Sequence, residues 1–169
     1  RVPRSRRVPR PPLIGAHMSI EGGVSRAISR GAQLGCTTIQ IFTKNATQWN
    51  APPLEEEEIK LFHKAREETG ISPIVGHDTY LINLASPEKS LRRRSAAALQ
   101  EELKRCAILG LPYLILHPGS HRGAGEEEGL RLVAESLNEI FSKRMNDEGG
   151  RMKGESPTIL LEITAGQGT

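Results

Sequence analysis

Four side chains able to bind a metal stand at matching places along this chain. His17, His77, His117 and Glu162 each close a short apolar run and each precede a polar loop. The runs are Leu13–His17, Pro73–His77, Tyr113–His117 and Ile159–Glu162, with a fifth, Thr38–Thr43, that carries no such ligand. Residues so far apart in sequence meet only if the runs are parallel strands whose C-terminal ends share one rim, the place where βα barrels carry their chemistry. Two imidazoles and a carboxylate, as in His77, His117 and Glu162, suit Zn2+ and leave a position for water that the ion can acidify. Mn2+ or iron would accept the same donors. A lone histidine is more often a packing or surface residue, so the set of three carries the expectation, and His63, in the helix segment Ile59–Ala65 with nothing to place it on the rim, keeps that ordinary reading.

The elements that must position these residues follow a regular alternation. Between the five runs lie segments with apolar residues at three- and four-residue spacing, over Gly23–Leu34, Leu54–Glu68, Glu88–Leu109 and Glu126–Met145. Gly35, Gly70 and Gly110 supply stop signals after three of them. Short apolar runs alternating with helices predict βα units and a parallel sheet, an α/β fold of the TIM-barrel kind. A complete eight-strand barrel needs roughly 250 residues, and the chain has 169. A barrel truncated after about the fifth strand is therefore expected, with further strands beyond Thr169 and an open sheet edge. The polar, glycine-rich stretch Asn146–Ser156 reads as a surface connection into the fifth strand.

Composition bounds the rest. Residues 1–11 form a basic Pro/Arg-rich tail, with arginine at positions 1, 4, 6, 7 and 10, and residues 12–169 form one domain. The tail is expected to be solvated, with an arginine-rich organelle-targeting remnant as the alternative. A formal net charge of +3 neither demands nor forbids a nucleic-acid partner, since a local basic face would serve. Cys36 and Cys106 lack metal-type spacing and are read as reduced thiols. No apolar run approaches about 18 residues, so no membrane span is expected.

Five short motifs surround the candidate ligands. They are Ile14-Gly15-Ala16-His17, Phe42-Thr43-Lys44-Asn45-Ala46-Thr47-Gln48-Trp49, and Gly76-His77-Asp78-Thr79-Tyr80-Leu81-Ile82-Asn83-Leu84, then His117-Pro118-Gly119-Ser120-His121 and Glu162-Ile163-Thr164-Ala165-Gly166-Gln167-Gly168. Each alone is weak. In this order and spacing the series resembles the N-terminal portion of the endonuclease IV family of zinc-dependent apurinic/apyrimidinic endonucleases, from Leu13 to Thr169.

The resemblance implies a DNA-repair endonuclease that cleaves the phosphodiester 5′ to an abasic site in duplex DNA with a cluster of three zinc ions. By the same likeness His77 and His117 would bind one zinc, Glu162 would bridge it to a second, and the remaining ligands would come from later strands. His17 and His121 match family histidines near the site, with a role in phosphate hydrogen bonding or in supporting the ligands. Lys44, Asn45, Gln48 and Trp49 resemble a DNA-contacting loop. Tyr80 and Leu81 resemble a wedge that enters the base stack where a nucleotide is missing; for Trp49 and Tyr80, ordinary packing at a loop base is the alternative.

Two positions depart from the family. Thr47 stands where an arginine is common, which bears on how strongly the duplex is distorted, and Ile163 stands where an asparagine commonly follows the glutamate. The resemblance further implies a monomer when complete, with no membrane association. It places the protein in the cytoplasm or at the nucleoid of a bacterium, or in the nucleus or an organelle of a eukaryote. The competing readings are a metal-dependent sugar isomerase or epimerase of the related barrel type, and a non-catalytic DNA-binding fragment. With part of the ligand set, the 169-residue chain alone is expected to be a poor catalyst.

Overall fold

The computed structural model describes residues 12–147 and 156–163. The expected tail, most of the connection Asn146–Ser156 and the segment after Ile163 lie outside the described residues. The elements alternate strictly: β1 His17–Met18, α1 Val24–Gln33, β2 Ile39–Phe42, α2 Glu56–Thr69, β3 Ile74–His77, α3 Lys89–Leu109, β4 Tyr113–Leu116, α4 Glu126–Asp147 and β5 Thr158–Leu161. The strands form one parallel sheet in sequence order, β1-β2-β3-β4-β5, the arrangement of five successive TIM-barrel strands.

Register decides which face each side chain takes, because partners in a parallel ladder share a face and successive residues alternate. Ile39, Ile41, Ile74, Leu114 and Leu116 turn to the helices, where they are buried with Ile28, Phe62, Leu99, Leu103 and Leu109. Small residues let these layers close. A Cβ at Gly31 of α1 would stand 2.6 Å from Ile39 Cγ2, and one at Gly76 of β3 would stand 2.7 Å from the Cys106 sulfur on α3. Pairings His17 with Gln40, Phe42 with His77 and His77 with Ile115 put those residues on the opposite, barrel-inner face.

The first strand is shorter than the sequence predicts and begins, rather than ends, at His17. Ile14 and Ala16 still accept backbone hydrogen bonds from Thr37 and Gln40, at 2.8 and 3.1 Å, so the chain runs beside β2 before the ladder proper starts. Both sheet edges carry exposed apolar side chains, Leu13 and Ile14 at one and Leu161 and Ile163 at the other, with Ile163 94% exposed. Helices α2 and α3 end on left-handed Gly70 and Gly110. Neither Cys36 nor Cys106 forms a disulfide, and no helix among the described residues is long and apolar enough to cross a membrane.

Candidate metal centre

His77 is the last residue of β3, while His117 and Glu162 stand one step past β4 and β5. The β4–β5 ladder pairs Leu116 with Leu161, and the Glu162 N–H continues it by donating to the Leu116 carbonyl at 3.0 Å. His117 and Glu162 are therefore neighbours on the same face as His77. The Nε2 atoms of His77 and His117 lie 3.3 and 3.6 Å from one oxygen, Oε2 of Glu162. One ligand atom from each of the three residues lies within 4.8 Å of the others.

The donor set fits a divalent cation. His77 Nδ1 is 2.8 Å from the Asp78 carbonyl oxygen, which can only accept, so Nδ1 carries the proton and the Nε2 lone pair faces the cluster. His117 presents Nε2 to the same place, and its Nδ1 is buried with no hydrogen-bond partner. His77 is buried while Glu162 is exposed, so the cluster is held from behind and open in front. A groove of about 540 Å3 opens beside it, lined by Tyr80, Leu81, Asn83, His117, Arg122 and Glu162 among others.

Asp78, next to His77, belongs to one of the sequence motifs but carries no expected role. It is 1% exposed, with no well-formed hydrogen bond to either carboxylate oxygen. Burial pushes its carboxyl up to about 8, against the pull of the His117 backbone N–H. Asn83 is a second residue that the sequence does not single out: its side chain clamps Ser120, accepting from Ser120 N at 3.1 Å and donating to Ser120 O at 3.0 Å. Its signal is present only as a polar residue inside an apolar loop segment.

The expected supporting residues divide. His17 lies beside the cluster, its ring 5.7 Å from His77 and 4.3 Å from Phe42, with Nδ1 2.9 Å from the Gln40 amide nitrogen. Burial, and then the charge of His77, holds its imidazole below the usual range. His121 has its Nδ1 taken up by the N–H groups of Gly123 and Gly125 at 3.1 and 3.2 Å, so it shapes the loop leading into α4.

Lys44, expected within a DNA-contacting loop, is only 3% exposed. Its ammonium lies 3.4 Å from Glu102 on α3 and donates to the carbonyls of Gln48 and Trp49 at 2.7 and 3.2 Å. The second Glu102 oxygen accepts from the Thr43 hydroxyl, and Arg105 donates to the carbonyls of Thr43 and Pro52, both at 2.9 Å. Burying an ammonium requires a counter-charge and full hydrogen bonding, and α3 supplies the charge. Burial raises the Glu102 carboxyl and lowers the Arg105 guanidinium, while Thr43 and Lys44 pull Glu102 back.

Lys44 thus anchors the β2–α2 loop from inside. Trp49 likewise turns inward, half-buried against the core with the Arg94 guanidinium 4.4 Å above its ring. Asn45 and Gln48 of that loop are exposed, with Asn45 Oδ1 accepting from the Thr47 N–H and hydroxyl at 2.9 and 2.8 Å. Tyr80 is 67% exposed at the mouth of the groove, its ring edge-on to Phe42 at 5.3 Å, and Leu81 lines the groove beside it.

Known proteins share the fold and much of the sequence of this chain. The family model of the xylose isomerase-like TIM barrel matches residues 28–169. A curated relative from Chloroflexus aurantiacus, called probable endonuclease 4, is 49% identical over 158 residues, covering 94% of this chain and 53% of the relative. The crystal structure of endonuclease IV from Thermus thermophilus superposes with a TM-score of 0.74 at 34% identity, over 93% of this chain and 54% of that one. The crystal structure of 3-keto-D-glucoside 4-epimerase from E. coli, at 13% identity and a TM-score of 0.61 over 88% of this chain and 55% of that one, shares the fold alone. The chain spans about half the length of the curated relatives it matches. From its sequential parallel strands, its strand-end ligand cluster and these matches, the chain belongs to the xylose isomerase-like TIM-barrel family and is similar, within it, to endonuclease IV.

Proposed function

We propose that the chain is part of a metal-dependent phosphodiesterase that cleaves duplex DNA 5′ to abasic sites, as in base excision repair. The observation that carries this reading is the convergence of His77, His117 and Glu162 on one point at the C-terminal rim. A divalent metal bound there, zinc by family likeness with Mn2+ as the alternative, would supply positive charge to the scissile phosphate and acidify a water. The three-zinc complement of the family needs further donors, so residues 1–169 on their own are expected to incise poorly, and the full-length protein is the form to assay.

The chain's own residues have separable parts in this reading. His77 is fixed by its hydrogen bond to the Asp78 carbonyl, which points Nε2 at the site. Tyr80, braced on Phe42, would enter the duplex beside the missing base, and Asn45 and Gln48 would contact the backbone from a loop pinned by Lys44. A monomer acting in the compartment that holds the DNA is expected. The sugar-epimerase alternative rests on likenesses that concern the fold only. The test is a nicking assay on a duplex with a single abasic site. Incision on the 5′ side, abolished by chelation and absent on intact duplex, supports the proposal; ketose isomerisation without incision overturns it.

A further inference from the structure

The loop between β4 and α4 holds a feature that the metal cluster does not explain. Arg122 is, among the described residues, the single non-glycine residue with positive φ, at 48°. An arginine gains nothing from that conformation, which glycine adopts freely. The loop nevertheless imposes it from both sides. Asn83 clamps Ser120 at 3.0 and 3.1 Å, the Ser120 hydroxyl accepts from the Arg122 N–H at 3.2 Å, and His121 Nδ1 gathers the N–H groups of Gly123 and Gly125. Further back, the Pro118 carbonyl accepts from Leu84 and Ala85 at 3.0 and 3.2 Å.

The side chain held in this way is exposed and lines the same groove as Tyr80, Leu81, His117 and Glu162. Among the described residues its guanidinium forms no ion pair or hydrogen bond. A fixed, strained backbone presenting an uncommitted guanidinium on the wall of a site is the arrangement expected of a preorganised anion ligand. A fork of N–H donors matches the two non-bridging oxygens of a phosphodiester. Glu162 on the same groove disfavours a free carboxylate ligand there unless a metal neutralises it.

We propose that Arg122 binds a backbone phosphodiester of the nucleic acid lying in this groove, next to the one at the metal cluster. The inference rests on the nucleic-acid reading of the site and adds to it a residue outside the expected contacts. Arg122→Gly is the informative variant, because it removes the guanidinium while relaxing the backbone, so folding is retained. Arg122→Lys keeps the charge and serves as the rescue. In the full-length protein, binding of a duplex with one abasic site is measured as a function of salt, alongside single-turnover incision and thermal melting.

The expected result for Arg122→Gly is a melting temperature equal to or above wild type, a Kd raised about tenfold, and a salt slope reduced by about one. Single-turnover incision at sub-saturating duplex falls in step with the weaker binding, and Arg122→Lys restores the slope. Unchanged Kd and slope in Arg122→Gly, with wild type binding normally, overturn the assignment of Arg122 alone. A wild-type protein that binds no abasic duplex overturns both this assignment and the function it rests on.

Discussion

Glu102→Gln should be among the most damaging single-atom-scale changes in this protein, although Glu102 lies on α3 and not at the metal cluster. Glu102 and Lys44 are 0% and 1% exposed at their side chains and 3.4 Å apart. Glutamine keeps the shape and the Thr43 contact but leaves the Lys44 ammonium buried with two carbonyls and no counter-charge. Breaking one side of a buried pair costs about 3–5 kcal/mol, which for a domain of this size lowers Tm by roughly 6–20 °C. Lys44→Met should cost less, because the carboxyl it strands can take a proton.

In Lys44→Met the direction of the Glu102 shift sets the pH dependence. Burial already raises this carboxyl above its ordinary value, and loss of Lys44 raises it further. The folded state then holds the proton where the unfolded state has released it, so the variant loses stability as pH rises from the unfolded value through the folded one. Lys44→Met is expected to be closer to wild type at about pH 5 than at about pH 8. The double variant Lys44→Met with Glu102→Gln should recover to within about 1–2 kcal/mol of wild type, since neither charge remains. Urea unfolding followed by circular dichroism completes the cycle. A Glu102→Gln cost below about 1 kcal/mol, or a double variant equal to the sum of the singles, would refute the buried pair as the anchor of the β2–α2 loop.

Other changes separate the parts of the site. His117→Ala in the full-length protein should abolish most incision while leaving abasic-duplex binding within a few-fold of wild type, whereas Tyr80→Ala should chiefly raise Kd, as paired binding and single-turnover assays would show. Gly76→Ala pushes a Cβ to 2.7 Å from the Cys106 sulfur and 3.3 Å from Leu114, an overpacking expected to cost about 1–3 kcal/mol by thermal melting. Gly119→Ala combines a φ of 101° with a Cβ 2.2 Å from Asn83 Oδ1. It should loosen the Asn83–Ser120 clamp, which faster amide exchange over residues 117–125 would report.

The alternation of runs and helices makes four of the strands legible to within a residue, because strands of a parallel sheet read as short continuous apolar runs between helix-like segments. β1 is harder. Leu13 and Ile14 have the composition of a strand but lie at an open edge with exposed side chains, so apolarity there marks the chain's path and not the ladder. His77, His117 and Glu162 are legible because strand ends of a parallel sheet share a rim. Lys44 is not, since its partner sits two helices later, and no local pattern shows that a lysine after a strand points inward. Arg122 is equally hidden: its part depends on a backbone conformation set by Asn83, a residue on another loop.

On the proposed reading, His77, His117 and Glu162 together hold the divalent metal on which phosphodiester cleavage depends. The most direct test measures 5′ incision of a single-abasic-site duplex against metal bound per chain, as the apo full-length protein is titrated with Zn2+. Incision rising in proportion to metal bound, with both lost in His77→Ala/His117→Ala, is the predicted result. Full incision in the metal-free protein, or undiminished metal binding and incision in that double variant, would contradict it.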